Sequence, residues 1–581
     1  MKGYIASVIR VGSAMMHLRE RLFPAVLALQ FFLSALQLLD AFHVWYYPMK
    51  HRWVYYLRFD LGFSLVPVLL PVAFVVLACL LLRRDFLGIF VSSVVTLFVH
   101  FFFGFEAAVA VFSFIQVVWA LHRFVDLGEF LSWLLILMTG FEGVALIHWA
   151  LLPFGVVSPF TWFADLEMTL FYVAAHLAPL IVLLIMCVWF LRPLSNYLGF
   201  DKVLKLESGN YTNIGNNSGV NHLLILGLAI FFAVIGALYP YSPAINPSSV
   251  PVGVDVHWYV EWMAEVEKNL YSAFTVERGS RPVILLLIYA IEHVFKVGVS
   301  EIVKFFPVLL NPLLVLSVYF MVSQASQDLE FAAISSLLTG LGTNITVGMY
   351  AYFLANTLGL VFLFSAFGFL FNALRTKNDI YLISASVFGS LAVFTHPWTF
   401  VQYYVVTALF LLYRYFIEKR SEGCLTVLMY LCATGLADLF KGFWVDGLAG
   451  FGSIAANPPQ LVSVLNFWNN NIFAFRQRFG GLLSVTILFC IAAYGVYKLK
   501  RSDSFHIFLT ILLVVSSFYY FMADGVIQSR ILYNIPFGVF TALGVVSILR
   551  CKINNDFKKI FISFLFLYMV VYMLQSMGNI I

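Results

Sequence analysis

Four groups of reactive side chains stand out in a chain that is 62% hydrophobic. The first lies in the stretch PYSPAINPSSVPVGVDVHWYVEWMAEVEKN, where Asp255 is followed by His257, Trp258, Tyr259, Glu261 and Trp262. A carboxylate at a membrane–water boundary, flanked by aromatics, can accept the proton of a substrate hydroxyl. VEWMAEVEKN reads as a short amphipathic helix on the membrane surface, and Asp255 equally suits the cap of that helix; the two roles are not exclusive. Asp255-x-His257 with Glu261 or Glu265 could ligate a divalent metal, but two such residues make no site, so a divalent metal is possible and not supported.

The second group is Thr395-His396-Pro397-Trp398. Its imidazole can meet a phosphate or a sugar hydroxyl, or simply sit in an interfacial turn with Trp398 in the aromatic belt. The third is Asp524 followed by Ser529-Arg530-Ile531-Leu532-Tyr533. A guanidinium at a helix entrance can hold a lipid-linked phosphate bidentately, or snorkel to the interface. The fourth is Asp438, Lys441, Trp444 and Asp446, with Arg476 and Arg478 further along. These can line a substrate cleft or form a solvated rim of ion pairs.

The elements that must position these groups are membrane helices. Only 11% of the 581 residues are charged, far below a soluble protein's share of about 25%. That excludes a water-soluble enzyme, a disordered chain, a disulfide scaffold and a nucleic-acid binder. The apolar runs are continuous rather than alternating, so the spans are helices and not barrel strands. None of the six cysteines forms a CxxC pair. There is no Walker A, GxSxG, HExxH or haem pattern, hence no ATP-driven motor in this chain.

The pattern gives an all-α, polytopic bundle of about 17 spans, each needing about 20 apolar residues. Six fall near 23–40, 62–82, 86–103, 105–121, 129–152 and 168–192. Eleven fall near 222–239, 282–298, 305–323, 347–371, 379–395, 398–416, 423–440, 479–497, 504–522, 531–549 and 560–577. The stretch 329–341 reads as too short to cross and as re-entrant or interfacial. With the N-terminus in the cytoplasm, Lys and Arg divide 24 inside to 10 outside, as the positive-inside rule prefers. The division is then 1–200, a six-helix region of unknown role; 201–221, a polar cytoplasmic linker; and 222–581, with outer loops 240–281 and 441–478. Asp255, His396, Lys441 and Arg530 all fall on the outer face. The sequons at Asn210 and Asn216 fall inside, and the sequon at Asn344 falls outside, open to glycosylation. In the first region, Lys50, His51, Arg52 and Arg58 form a basic cluster suited to lipid headgroups.

Residues 222–581 resemble the GT-C superfamily of integral-membrane glycosyltransferases, which includes protein O-mannosyltransferase-like and aminoarabinose-transferase-like enzymes. The resemblance rests on GVDVHWYVEWM after the first helix, on GSRPVILLLIYAIEHVF with Arg281 and Pro282, on THPW, and on SRILYNIPFGV. It covers about three-fifths of the chain and excludes the first six helices. It implies a sugar donor carried on a polyprenyl (or dolichyl) phosphate at the outer leaflet, with a protein, glycolipid or polysaccharide hydroxyl as acceptor. Asp255 would be the base, and Arg530 would hold the donor phosphate. His257, Tyr259, Glu261, Arg281, His396, Asp438, Lys441, Asp524 and Tyr533 would line the cleft. Many relatives carry an acidic pair at the base position; here the next residue is Val256, so Asp255 acts alone or the metal-dependent variant is excluded.

Two other readings compete. A secondary transporter or flippase would use ionisable residues within spans, for which Glu106, Glu142, His176 and Glu292 are the candidates. A non-catalytic scaffold would tolerate loss of Asp255. The membrane is the plasma membrane, or the endoplasmic reticulum in a eukaryote.

Overall fold

The computed structural model describes residues 24–25, 28–29, 31–32, 127–157, 221–419, 424–444, 485–500, 503–517, 533–551 and 554–578. Arg530, Asp524, Asp446, Arg476, Arg478, Glu106, His176, the linker before Asn221 and most of the first six helices lie outside these. Among the described residues every regular element is helical. The helices are α1 (Leu127–Leu151), α2 (His222–Leu238), α3 (Val256–Lys268), α4 (Pro282–Phe295), α5 (Val299–Ser326), α6 (Leu329–Gly340), α7 (Thr343–Ala351) and α8 (Leu354–Thr376). There follow α9 (Asp379–Val393), α10 (Pro397–Phe416), α11 (Cys424–Trp444), α12 (Val485–Tyr497), α13 (Ser504–Ser517), α14 (Phe537–Leu549) and α15 (Asn555–Gly578). Six stretches are long and apolar enough to cross a membrane: Glu129–Phe154, His222–Tyr241, Val299–Ser326, Leu329–Ala351, Leu354–Thr376 and Asn555–Gly578. The chain is therefore a multi-pass membrane protein.

Contacts divide the chain into two compact units. The first holds α1 up to His148 and α15 up to Val571; the second holds nearly all the rest. In the first, Phe130 and Phe141 of α1 meet Phe31 and Phe32 edge-on, with centroids 5.8 and 5.9 Å apart.

Helix boundaries in the second unit follow local chemistry. Asn221, Asp328 and Asn378 each accept a backbone N–H at the start of α2, α6 and α9. Lys296, Gln327, Tyr352 and Lys377 end α4, α5, α7 and α8 in the left-handed conformation, so each following helix turns back after two or three residues. Close packing relies on missing side chains. A Cβ on Gly340 would lie 2.7 Å from the Ala229 carbonyl oxygen of α2. Between α12 and α14, a Cβ on Gly495 would come 2.0 Å from the Phe540 oxygen, and one on Gly544 2.2 Å from the Ile491 oxygen. Backbones can approach this closely only where small residues face each other.

Hydrogen bonds fix which helix ends share a face. Lys304, in the first turns of α5, donates to Ser249 at 2.6 Å. The Tyr352 hydroxyl at the end of α7 donates to the Val303 carbonyl. The Val254 and Asp255 amides donate to the Tyr350 and Ala351 carbonyls at 3.0 and 3.3 Å. The Val283 amide donates to Phe394 at 3.1 Å, and Lys441 at the end of α11 donates to Val393 at 2.8 Å. These groups mark one face, which carries the 240–281 loop. At the far face Arg375 donates to the Gln324 side chain at 2.8 Å, and Arg550 pairs with Asp328 at 2.6 Å.

This arrangement corrects two expected spans. The expected crossing over 282–298 is instead α4, whose start meets Phe394 and whose end turns straight into α5, both on the loop face. Conversely, 329–341 does not stop short. α6 continues past Gly342 into α7, making a 23-residue stretch that crosses from the far face to the loop face. The expected span 347–371 begins at Leu354 instead. The two differences cancel in direction, so every later helix end keeps its expected side. Lys296 and Lys304, expected inside, sit on the loop face.

Single cysteines test this path. In a chain whose native cysteines are replaced, Ser300→Cys is expected to react with an impermeant maleimide from the same side as Ser248→Cys, and Gln327→Cys only from the other. Labelling of Ser248→Cys and Gln327→Cys from one side would overturn the assignment.

Candidate functional site

The loop-face site is built on α3 and α4. Tyr259, Trp262, Met263 and Val266 recur at helical spacing and form the buried side of α3. They pack with Ile284, Leu285 and Ile288 of α4, with Ile302, Val303, Phe306 and Leu310 of α5, and with Tyr352, Leu354, Ala355 and Leu358 at the α7–α8 turn. Each large side chain withdrawn from water contributes about 1.5–3 kcal/mol, so this cluster fixes α3 and α4 against the bundle. Trp258, Val260, Glu261 and Glu265 point away from it and are exposed.

Asp255 occupies the residue before α3, as a cap would, yet its side chain makes no capping hydrogen bond. Its backbone is held by Ala351 instead. His257 is exposed and lies against Trp258 with the rings tilted, centroids 4.6 Å apart. Tyr259 is 1% exposed, and its hydroxyl accepts the Ala355 amide at 3.0 Å; it braces α3 on α8 rather than opening to a cleft.

Arg281 precedes Pro282, the first residue of α4. Its guanidinium lies over the rings of Trp262 and Tyr259, 4.7 and 5.9 Å from their centroids. Two residues on, the Val283 amide binds Phe394, so Arg281 adjoins the THPW turn. Lys441 is fully buried; its ammonium binds Val393 and lies 6.0 Å from the Phe394 ring. Asp438, one turn earlier on α11, is also buried. The start of α4 and the end of α11 thus both meet the Val393–Phe394 turn that leads into α10, so Arg281 and Lys441 stand on elements that share the turn before His396.

His396 leads into a buried polar seam. Its Nδ1 lies 3.3 Å from Thr399 Oγ1. That hydroxyl donates to Asn356 at 3.1 Å, and Asn356 donates to Asn534 at 3.0 Å. Tyr533 is 4% exposed, and its hydroxyl donates to the Asn344 carbonyl at 2.5 Å. The Asn344 side chain returns bonds to the Tyr533 and Ile535 carbonyls at 2.9 and 3.3 Å. Tyr533 and His396 are therefore framework groups. Asn344 was expected as an exposed sequon; it is 4% exposed inside α7 with its amide occupied, so the sequon is closed. Asn356, Asn534 and Thr399 carried no expectation. The signal for them was present, because asparagine within apolar helices is costly unless paired.

On the exposed side of α3–α4, Glu292 is raised above the usual carboxylate range, first by partial burial and then by the neighbouring Glu267 carboxylate, while His293 opposes the shift. Among the described residues no group of three or more His, Cys, Asp or Glu comes together as a metal set. Neither a scan of protein-family models nor a search of curated proteins finds a match to this chain.

Replacing Asn344 by Ala should lower the melting temperature of the solubilised chain, because two buried carbonyls lose their donor at about 1–3 kcal/mol; an unchanged melt would contradict the seam. Asn344 should also be recovered unglycosylated in peptide mass spectra. For Glu292 the raised folded pKa means that stability is greatest below the ordinary glutamate range near 4.3 and falls as pH rises through the shifted value. Glu267→Gln should shrink that fall in thermal melts across pH 4–8. Equal slopes in both chains would sink the pairing.

Proposed function

We propose that the chain is a membrane glycosyltransferase. It takes a sugar from a polyprenyl-phosphate donor and places it on an acceptor hydroxyl at the loop face, with inversion. The observation that carries this reading is the position of Asp255: it stands at the start of α3 on the loop face with its backbone held by Ala351, and the Arg281 guanidinium lies over rings of the same helix.

In the proposed step the Asp255 carboxylate takes the acceptor proton as the acceptor oxygen bonds to the anomeric carbon. The bond from that carbon to the phosphate oxygen breaks, and its electron pair leaves on the polyprenyl phosphate. Cationic groups lower the barrier by stabilising that developing charge. Arg530 is the group the sequence offers for this role, and Lys441 and His396, at the turn that the Val283 amide of α4 meets, support it. The loop face would be the outer face of a plasma membrane or the luminal face of the endoplasmic reticulum, with the N-terminus in the cytoplasm.

A second reading, a transporter for a lipid-linked or hydrophilic solute, has one observation in its favour. Glu142 is 8% exposed in the middle of the Glu129–Phe154 span. Carboxyl groups at such depth commonly serve ion or solute pathways.

Asp255→Asn should remove transfer by about 10²–10⁴-fold, the range of a positioned base. The check restores a deletion strain with wild type or variant at matched membrane levels and profiles its surface glycans by mass spectrometry. One terminal sugar should return with wild type only. Full restoration by the variant rules out Asp255 as base and moves solute flux in proteoliposomes, with Glu142→Gln as control, to the front.

A further inference from the structure

The least satisfied cation among the described residues is Arg281. It is 9% exposed, yet no carboxylate lies within ion-pair distance of it and its Nε has no hydrogen-bond partner among the described residues. Its interactions are the ring contacts to Trp262 and Tyr259. Ser280, the preceding residue, is 7% exposed, and its hydroxyl is also without a partner among the described residues. A buried guanidinium without an anion or acceptor is expensive, and native structures pair such groups with a ligand or a counter-charge.

The surroundings favour an anion. Arg281 and Ser280 stand at the start of α4, where the positive end of the helix dipole favours negative charge. Pro282 opens the helix, so its lack of an N–H costs nothing there. The Trp262 and Tyr259 rings, set edge to face, flank the guanidinium on one side, and an arginine suits two-pronged bonding to a tetrahedral or planar oxyanion. The approach to this pair bends through Glu277, Arg278 and Gly279, all with positive φ of 50–63°. Two of these are not glycine, a backbone cost that persists where the site needs it.

We propose that Arg281 and Ser280 form a phosphate seat at the start of α4, with Trp262 and Tyr259 as its rear wall. This rests on the glycosyltransferase reading only for the identity of the natural ligand. A phosphate monoester or diester could come from a lipid-linked substrate or from a phospholipid headgroup, and the test separates them.

The full chain is reconstituted in nanodiscs of phosphatidylcholine, and binding of farnesyl phosphate, farnesol and inorganic phosphate is measured by microscale thermophoresis. Farnesyl phosphate should bind at least tenfold more tightly than farnesol. Arg281→Gln should weaken farnesyl phosphate by tenfold or more and leave farnesol unchanged. Arg281→Lys, which keeps the charge but not the stacked fork, should fall between them and guards against a variant that does not fold. Ser280→Ala should cost a few-fold. Nanodiscs containing phosphatidylglycerol should weaken farnesyl phosphate in wild type but not in Arg281→Gln if headgroups use the seat, and should have no effect if only substrate does. Equal binding of farnesyl phosphate and farnesol, or unchanged binding in both folded Arg281 variants, overturns the proposal. Phosphate binding without sugar transfer would sink the enzymatic reading and keep the seat. Transfer that survives in Arg281→Gln with unchanged binding would do the reverse.

Discussion

The loop face hangs on the carbonyls of Tyr350 and Ala351. They are the last acceptors of α7, and the backbone of Val254 and Asp255 takes them. The same turn sends the Tyr352 hydroxyl to Val303 on α5 and receives the Tyr259 hydroxyl at Ala355 on α8. Gly253 permits the approach: its φ is 125°, and a Cβ there would fall 2.7 Å from the Tyr352 Cβ. Because the backbone of Asp255 is fixed from outside its own helix, its side chain is not needed to start α3.

How much of this was legible depended on which physical signal each residue gave. The α3 helix was readable because Tyr259, Trp262, Met263 and Val266 repeat on one side while acids fill the other. The helical character of the membrane portion was readable from unbroken apolar runs. The directions of α4 and α6–α7 were not, because hydropathy measures how apolar a segment is and carries no sign for where its ends lie. α4 is apolar yet stops at Phe295, where Lys296 turns left-handed. α6 is short yet resumes one residue beyond Leu341–Gly342, and only the sum of α6 and α7 crosses. Lysine on the wrong expected side was no warning, because Lys304 is satisfied by Ser249, by Glu301 at 3.6 Å and by the Tyr241 and Phe305 rings.

The candidate site was legible by residue type more than by role. Asp255, Arg281, His396 and Lys441 were chosen for their chemistry, and the elements that carry the last three meet at the Val393–Phe394 turn. Tyr259 and Tyr533 were chosen in the same way but prove to be braces. A tyrosine hydroxyl buried below 5% must meet an acceptor or donor whatever else it does, and both have found backbone partners. The asparagines of the seam tie α7, α8, α10 and the Tyr533–Ile535 strand of chain across nearly two hundred residues of sequence, which no local pattern could convey.

α4 also constrains how the chain is made. Its 14 residues are nearly all apolar, and they leave the ribosome before α5. Besides α3, the surfaces that cover its buried side belong to α5 and α8, up to seventy residues later in synthesis. During that interval an insertion machinery that sorts segments by hydrophobicity meets a helix that belongs in the membrane by composition and beside it by structure. The short connection at 296–298 then ties the direction of α5 to where α4 comes to rest. A lesion in α3 or α4 can therefore act twice, once on the finished site and once, earlier, on which way the nascent chain is threaded.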